Sequence, residues 1–356
     1  MKVFTIASCI ASLAAAASVD VTKRASPLDV KLEKVGNSAV KAVITNTGSE
    51  DIQILKTGSI FDELAVEKTE VFAGSDKVEF DGIRLMVNPE GFEASNFVVI
   101  AAGETLETEW DVAQVHDLSS GGDFDIKTTG VLQYADKDST ELAGVINYSS
   151  DVLHIAVDGA EAAKVRRDFH ESIAKRAVVQ ADCTGTRRTT TVNALAGCRS
   201  QALAAATAAT SGAAARMTEF FKSSTTATRN TVAAVFNRMA TECGSSTSGV
   251  SRQYCTDIYP GGACSSGVIA YTLPSQNYMV NCPYYFSSFP LTTSSCRGIS
   301  QASTTVHEVT HLTQIAGTTD QNGCYGYTCV RSLSAANNLR HADTYTLFAQ
   351  SIFANC

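Results

Sequence analysis

His307, Glu308 and His311 have residue types and a spacing that could do chemistry: they form the pattern H-E-x-x-H within 304–320. On a helix one turn separates the two histidines, so both imidazoles leave the same face, with Glu308 beside them. Two neutral nitrogen ligands and a neighbouring carboxylate are what a catalytic zinc requires. The metal polarises a carbonyl and acidifies a water, and the carboxylate moves the proton. The same pattern also arises in an amphipathic helix with two incidental histidines, so the remaining residues must supply a third ligand.

Such a zinc takes three protein ligands and keeps one position open. Residues 177–356 hold one further histidine, His341, and the acids Asp182, Glu219, Glu242, Asp257, Glu308, Asp320 and Asp343. No glutamate follows Glu308, which excludes the thermolysin-like arrangement, and Gln314 and Gly317 stand where a metzincin needs glycine and histidine. Asp320, Asp343 and His341 remain. Asp320 closes Gly317-Thr318-Thr319-Asp320, just past the motif helix. Gly317 can take the left-handed conformation that ends a helix, and a short return then brings Asp320 to the metal. Asp343 also reads as an acid at a helix N-terminus, and His341 as a surface residue or a support behind the ligands. Glu308 is the candidate general base. The oxyanion needs a second stabiliser, for which Tyr284, Tyr285, Tyr325 and Tyr327 are the nearest tyrosines.

The elements that must position these groups follow from periodicity. Residues 177–356 are expected to be predominantly α with a small β-hairpin. Stretches 189–209, 213–222 and 230–243 read as helices, and 300–315 is the motif helix. Short helices at 328–337 and 343–353 close the domain, and 268–273 and 278–281 flank a turn at 274–277. Residues 26–158 read as β-rich and sandwich-like, with strands near 28–32, 39–44, 52–55, 97–100, 107–112, 130–134 and 152–157. A charged helix near 160–174 links the halves.

The 356 residues suit about two domains. Residues 1–18 have a basic start, an apolar run and small residues before Ser18, as in a secretory signal, and no later stretch is long and apolar enough to span a membrane. Apart from Cys9, the other ten of the eleven cysteines fall between Cys183 and Cys356, an even set that reads as about five disulfides in an oxidising compartment. Residues 1–176 carry 17 Lys and Arg against 29 Asp and Glu, and residues 177–356 carry 11 against 7. Opposite signs suit an acidic prosegment on a basic domain, while the small positive excess without a basic cluster gives no nucleic-acid footprint. Lys175-Arg176 lies at the boundary and reads as a processing site, preferred over Arg166-Arg167 and Arg187-Arg188 because it leaves those ten cysteines in the product and follows a flexible, polar stretch. The division is then 1–18 signal, 19–176 propeptide and 177–356 catalytic domain. Asn147-Tyr148-Ser149 is a glycosylation sequon.

H-E-V-T-H at 307–311 followed by G-T-T-D at 317–320, in a cysteine-rich half behind a dibasic-terminated segment, resembles the deuterolysin family. These are the fungal neutral proteases II, the M35 or aspzincin metalloendopeptidases. The resemblance runs through signal, prosegment and mature domain. It implies a zincin-like fold and a secreted zinc endopeptidase made as a zymogen. One zinc per mature chain is held by His307, His311 and Asp320, with Glu308 as base. The implied substrates are proteins and peptides, basic proteins in particular. The implied partner is the chain's own propeptide, as inhibitor or chaperone, and the mature enzyme is expected to be an extracellular monomer, with no nucleic acid and no membrane involved. Asp343 matches a second important aspartate, expected behind the ligands or in the substrate pocket. Tyr285 and Tyr327 match tyrosine segments implied to support the transition state, although Gln321–Cys324 departs from the family pattern ahead of Tyr327. The shared bridges would be Cys183–Cys255, Cys264–Cys282 and Cys296–Cys356, with Cys198–Cys243 and Cys324–Cys329 additional. The alternative is a secreted binding protein that keeps the fold without activity.

Overall fold

The computed structural model describes residues 26–173 and 179–356. The expected signal segment 1–18 and the processing pair Lys175-Arg176 lie outside the described residues.

Strict alternation shapes the first stretch. Ala39–Asn46 buries every second residue, and it pairs antiparallel on both edges, with Leu28–Lys34 and Thr105–Asp111. Two four-stranded antiparallel sheets accompany it. The strand order of one is Leu142–Ser149, Thr129–Ala135, Ile52–Leu55, Phe97–Ile100; that of the other is Leu153–Val157, Gly122–Lys127, Glu70–Ala73, Asp76–Val78. Ala42, Ile44, Ile54, Leu132 and Tyr148 fill one core, and Val40, Val71, Phe124, Ile126 and Ile155 fill another. The helix Gly159–Ile173 then leaves this body.

The second stretch is helical because alanine lets backbones approach. Gly185–Ser211 buries Ala194, Ala202, Ala205, Ala206 and Ala209 and shares a core with Thr226–Glu242 and Ala342–Phe353. Phe220, Phe221, Phe236, Tyr345 and Phe348 meet in that core, mostly edge to face. The motif helix Gln301–His311 starts at Ser300, whose side chain and that of Ser303 cap each other's backbone N–H groups. Every residue of this helix is buried. Val306 and Val309 anchor it in the core, each contributing about 1.5–3 kcal/mol.

The hairpin expected at 268–281 is present, with Val268–Leu273 and Tyr278–Asn281 antiparallel. It belongs to a four-stranded sheet whose order is Arg252–Tyr254, Tyr278–Asn281, Val268–Leu273, Arg84–Val87. The last strand comes from the first stretch of the chain. The five disulfides join Cys183 to Cys255, Cys198 to Cys243, Cys264 to Cys282, Cys296 to Cys356 and Cys324 to Cys329. No helix among the described residues is long and apolar enough to cross a membrane.

Candidate metal centre

Three features bring His307, His311 and Asp320 together. The helix puts the two imidazoles one turn apart, with ring centroids 4.8 Å from each other. Gly317, at φ 57°, reverses the chain behind the helix. The returning strand is then pinned on both sides: Thr318 N–H donates to Thr310 O at 3.1 Å, and Thr319 bonds Arg340 O and Ala342 N–H at 2.7 and 3.1 Å. Asp320, the next residue, faces the histidines.

His307 Nε2 and His311 Nε2 lie 3.4 and 3.5 Å from Asp320 Oδ1. These three atoms are buried, lack any hydrogen-bond partner and lie within 4.8 Å of one another. The other polar atom of each residue is already engaged. His307 Nδ1 is 2.8 Å from Asp343 Oδ1, His311 Nδ1 is 2.9 Å from Thr318 O, and Asp320 Oδ2 accepts from Leu85 N–H at 3.3 Å. A tetrahedral centre with bonds of about 2.0–2.1 Å has ligand-to-ligand edges of about 3.3–3.4 Å. The donor set, its burial and its spacing therefore fit a zinc ion.

The electrostatics follow from the same contacts. Burial opposes charge on His307, but Asp320 and Asp343 on its two sides hold its pKa well above the usual value. His311 lacks the second carboxylate, and burial pushes it down to about 3. Asp320 is held low because His311 and His307 outweigh its burial, and Asp343 is lowered against its own burial chiefly by His307. Asp343 also accepts from Gly326 N–H at 2.6 Å, so both its oxygens are occupied. His341 is fully buried rather than at the surface, between Cys324 O and Thr344 Oγ1.

Glu308 is fully buried, and burial pushes its pKa up to about 8 although His307 and Thr272 pull it down. Thr272 Oγ1, from the hairpin, donates to Glu308 Oε2 at 2.5 Å, while Oε1 has no partner. Thr272 belongs to no motif, so sequence reasoning had no signal for it.

The tyrosines separate clearly. Tyr285 is buried among Ala194, Ile269 and Met86, with its phenol 3.4 Å from Gln301 O. Tyr327 donates to Glu219 at 2.8 Å beneath the Arg297 guanidinium. The structure thus turns both phenols to other partners. Tyr325 is the tyrosine set among the site's charges. Its pKa stands well above 10 through burial and then the nearby Asp320, Asp62 and Asp343. Its place just after the Asp320 loop was the available signal.

The model of the deuterolysin metalloprotease (M35) family matches residues 1–356. A neutral protease 2 homolog of Colletotrichum graminicola is 59% identical over 357 residues, covering 100% of both chains. One from Pyricularia oryzae is 52% identical over 351 residues, covering 99% of this chain and 98% of that one. Among solved structures, a zinc peptidase from Grifola frondosa aligns with 48% of this chain and 97% of its own, at 22% identity and a TM-score of 0.39.

Proposed function

This chain belongs to the deuterolysin (M35) family and is a zinc metalloendopeptidase, and we propose that it is a secreted zymogen with His307, His311 and Asp320 as ligands of one zinc and Glu308 as general base. The strongest support is the convergence of three buried, partnerless atoms whose companion atoms are all tied back. A zinc held there would act as a Lewis acid on the scissile carbonyl and lower the pKa of the attacking water to about 7.

The chain's own groups do the rest. Glu308 Oε1, the oxygen that Thr272 leaves free, takes the proton from the water and returns it to the leaving amine. Asp343 and Thr318 O fix the two imidazoles so that each presents Nε2 to the cluster. We assign Tyr325, rather than Tyr285 or Tyr327, as the phenol that donates to the oxyanion, because those two are engaged with Gln301 O and Glu219 while Asp320 and Asp343 act on Tyr325 electrostatically.

Residues 1–18 act as the signal and 19–176 as the propeptide, cut after Lys175-Arg176. The competing pairs support this choice, because Arg166 and Arg187 lie inside helices, bonded to Asp81 and to Cys255 O. The substrates are proteins, with basic proteins implied by the family resemblance. Asp343 lines the adjoining cavity together with Arg297, so a basic side chain there meets both signs.

The test is to express the whole chain in a secreting host, sequence the N-terminus of the product, and measure its zinc content and casein hydrolysis. Ala177 should be the first residue. Glu308→Gln should keep zinc and lose roughly 10²–10⁴-fold in rate. Retained activity in this variant overturns the assignment of the base.

A further inference from the structure

The strand Arg84–Val87 belongs to the first stretch but completes a sheet of the second. It runs antiparallel to Val268–Leu273, with Arg84 opposite Thr272, Leu85 opposite Tyr271, Met86 opposite Ala270 and Val87 opposite Val268. The pairing continues through Asn88, whose N–H donates to Gly267 O at 2.8 Å. Its main chain reaches the site. Leu85 N–H meets Asp320 Oδ2 at 3.3 Å, and Met86 lies opposite Ala270, two residues from the Thr272 that bonds Glu308. Its side chains are buried on both faces. Leu85 and Val87 pack with Val268, Tyr271 and Val280, and Met86 packs with Ile269, Ala270 and Tyr285.

The strand is delivered by its own half of the chain. Arg84 forms a buried ion pair with Glu67 at 2.6 Å and lies over the Phe80 ring. Two further contacts from the same half hold Tyr325. The Gln133 side chain bonds both its N–H and its C=O, at 3.1 and 3.0 Å. Gly58, at φ 72°, lies so close that a Cβ would come within 2.5 Å of the Tyr325 phenol oxygen. Beyond Val87 a cavity of ≈ 810 Å³ continues, bordered by Ser303, Tyr325 and Asp343.

We propose that Arg84–Val87 is the inhibitory element of the proenzyme, occupying as a fourth strand the sheet edge along which an extended peptide substrate pairs. Strand addition recognises main chain irrespective of sequence and takes specificity from the pockets beneath alternate side chains, which suits an edge that must serve both this segment and a substrate. The proposal rests on the reading of the chain as a zymogen.

The test uses the whole chain, zinc-loaded and kept uncut by Lys175→Ala and Arg176→Ala, with a fluorogenic peptide as substrate. Leu85→Pro removes the N–H that meets Asp320 and so loosens the strand from the site. The uncut parent should be silent, and uncut Leu85→Pro should gain about tenfold or more in rate with an unchanged far-ultraviolet circular dichroism spectrum. If uncut Leu85→Pro stays silent with a native spectrum, while the native chain cut after Arg176 is active, the strand is not the inhibitor and the zymogen reading survives. Equal activity of cut and uncut chains with the native Leu85 refutes the zymogen reading itself. Should Leu85→Pro fail to fold, a synthetic peptide of residues 82–90 added to the cut enzyme decides. Competitive inhibition that disappears when the Leu85 nitrogen is methylated supports the proposal; no inhibition, or equal inhibition by both peptides, overturns it.

Discussion

Replacing Asp343 by alanine separates a ligand from a residue that holds a ligand in place. Asp343 touches His307 Nδ1 and Gly326 N–H, whereas Asp320 presents a free oxygen to both Nε2 atoms. Asp343→Ala removes one charge-assisted hydrogen bond from His307, worth about 1.5–3 kcal/mol. That matches the 10–100-fold loss of metal affinity, roughly 1.4–2.8 kcal/mol, usual when the carboxylate behind a ligating histidine is lost. Asp320→Ala instead deletes an anionic ligand. If a site of about 10–16 kcal/mol is shared among three or four ligands, the loss is about 3–5 kcal/mol, or roughly 10²–10⁴-fold. Chelator competition with an optical zinc indicator measures both variants, and metal analysis after dialysis checks the result. Asp343→Ala should bind zinc weakly but stoichiometrically, and it should also lose about 1–3 kcal/mol of stability because the Gly326 N–H is left without an acceptor. Should Asp343→Ala lose zinc completely while Asp320→Ala retains it, the ligand assignment is reversed.

Two further outcomes are expected. Thr272→Val keeps the side-chain shape but removes the hydroxyl on Glu308. The kcat/KM should fall about 10–100-fold, zinc content should not change, and Thr272→Ser should recover most of the rate. An equal loss in both variants would point to packing rather than to the hydrogen bond. His116 is fully buried against the edge of Phe80, facing Glu67, Asp81 and Lys77, and burial lowers its pKa to about 4. The unfolded chain binds a proton at His116 below about 6.5, and the folded chain binds it only near 4. Stability is therefore complete above pH 6.5 and falls by about 3 kcal/mol as the pH drops to 4. Denaturant titrations of the full chain and His116→Leu across that window should diverge by this amount, and parallel curves would refute the argument.

The clustering of His307, His311 and Asp320 was legible because coordination chemistry demands particular residue types at short spacing. H-E-x-x-H and Gly-Thr-Thr-Asp both lie within one helix and its return, and the scarcity of acids in 177–356 left few rivals for the third ligand. Alternating segments such as Ala39–Asn46 were legible for the related reason that one buried face imposes a period of two. Arg84–Val87 was not legible. All four of its residues are buried, so no alternation marks it, and the strand it pairs with lies far along the chain. Thr272 was invisible because its contact with Glu308 depends on register between a hairpin and a helix, and Tyr325, although it follows the Asp320 loop, stood in a group of tyrosines whose partners only packing could assign.

The strand that carried no signal also exposes an opposition within the fold. Val268–Leu273 is buried at all six positions, and Arg84–Val87 covers one of its edges. Covering that edge hides Leu85, Met86 and Val87, each worth about 1.5–3 kcal/mol of apolar burial. On the proposed reading, a segment on the same chain competes with substrate for the edge at an effective concentration of order millimolar, so a dilute substrate would not displace it. A single cut in the connection leaves every one of these contacts in place and removes only the tether. On the proposed zymogen reading, release then becomes bimolecular and is favoured by dilution, which would let the same edge be sealed before the cut and open after it without any change in the catalytic residues.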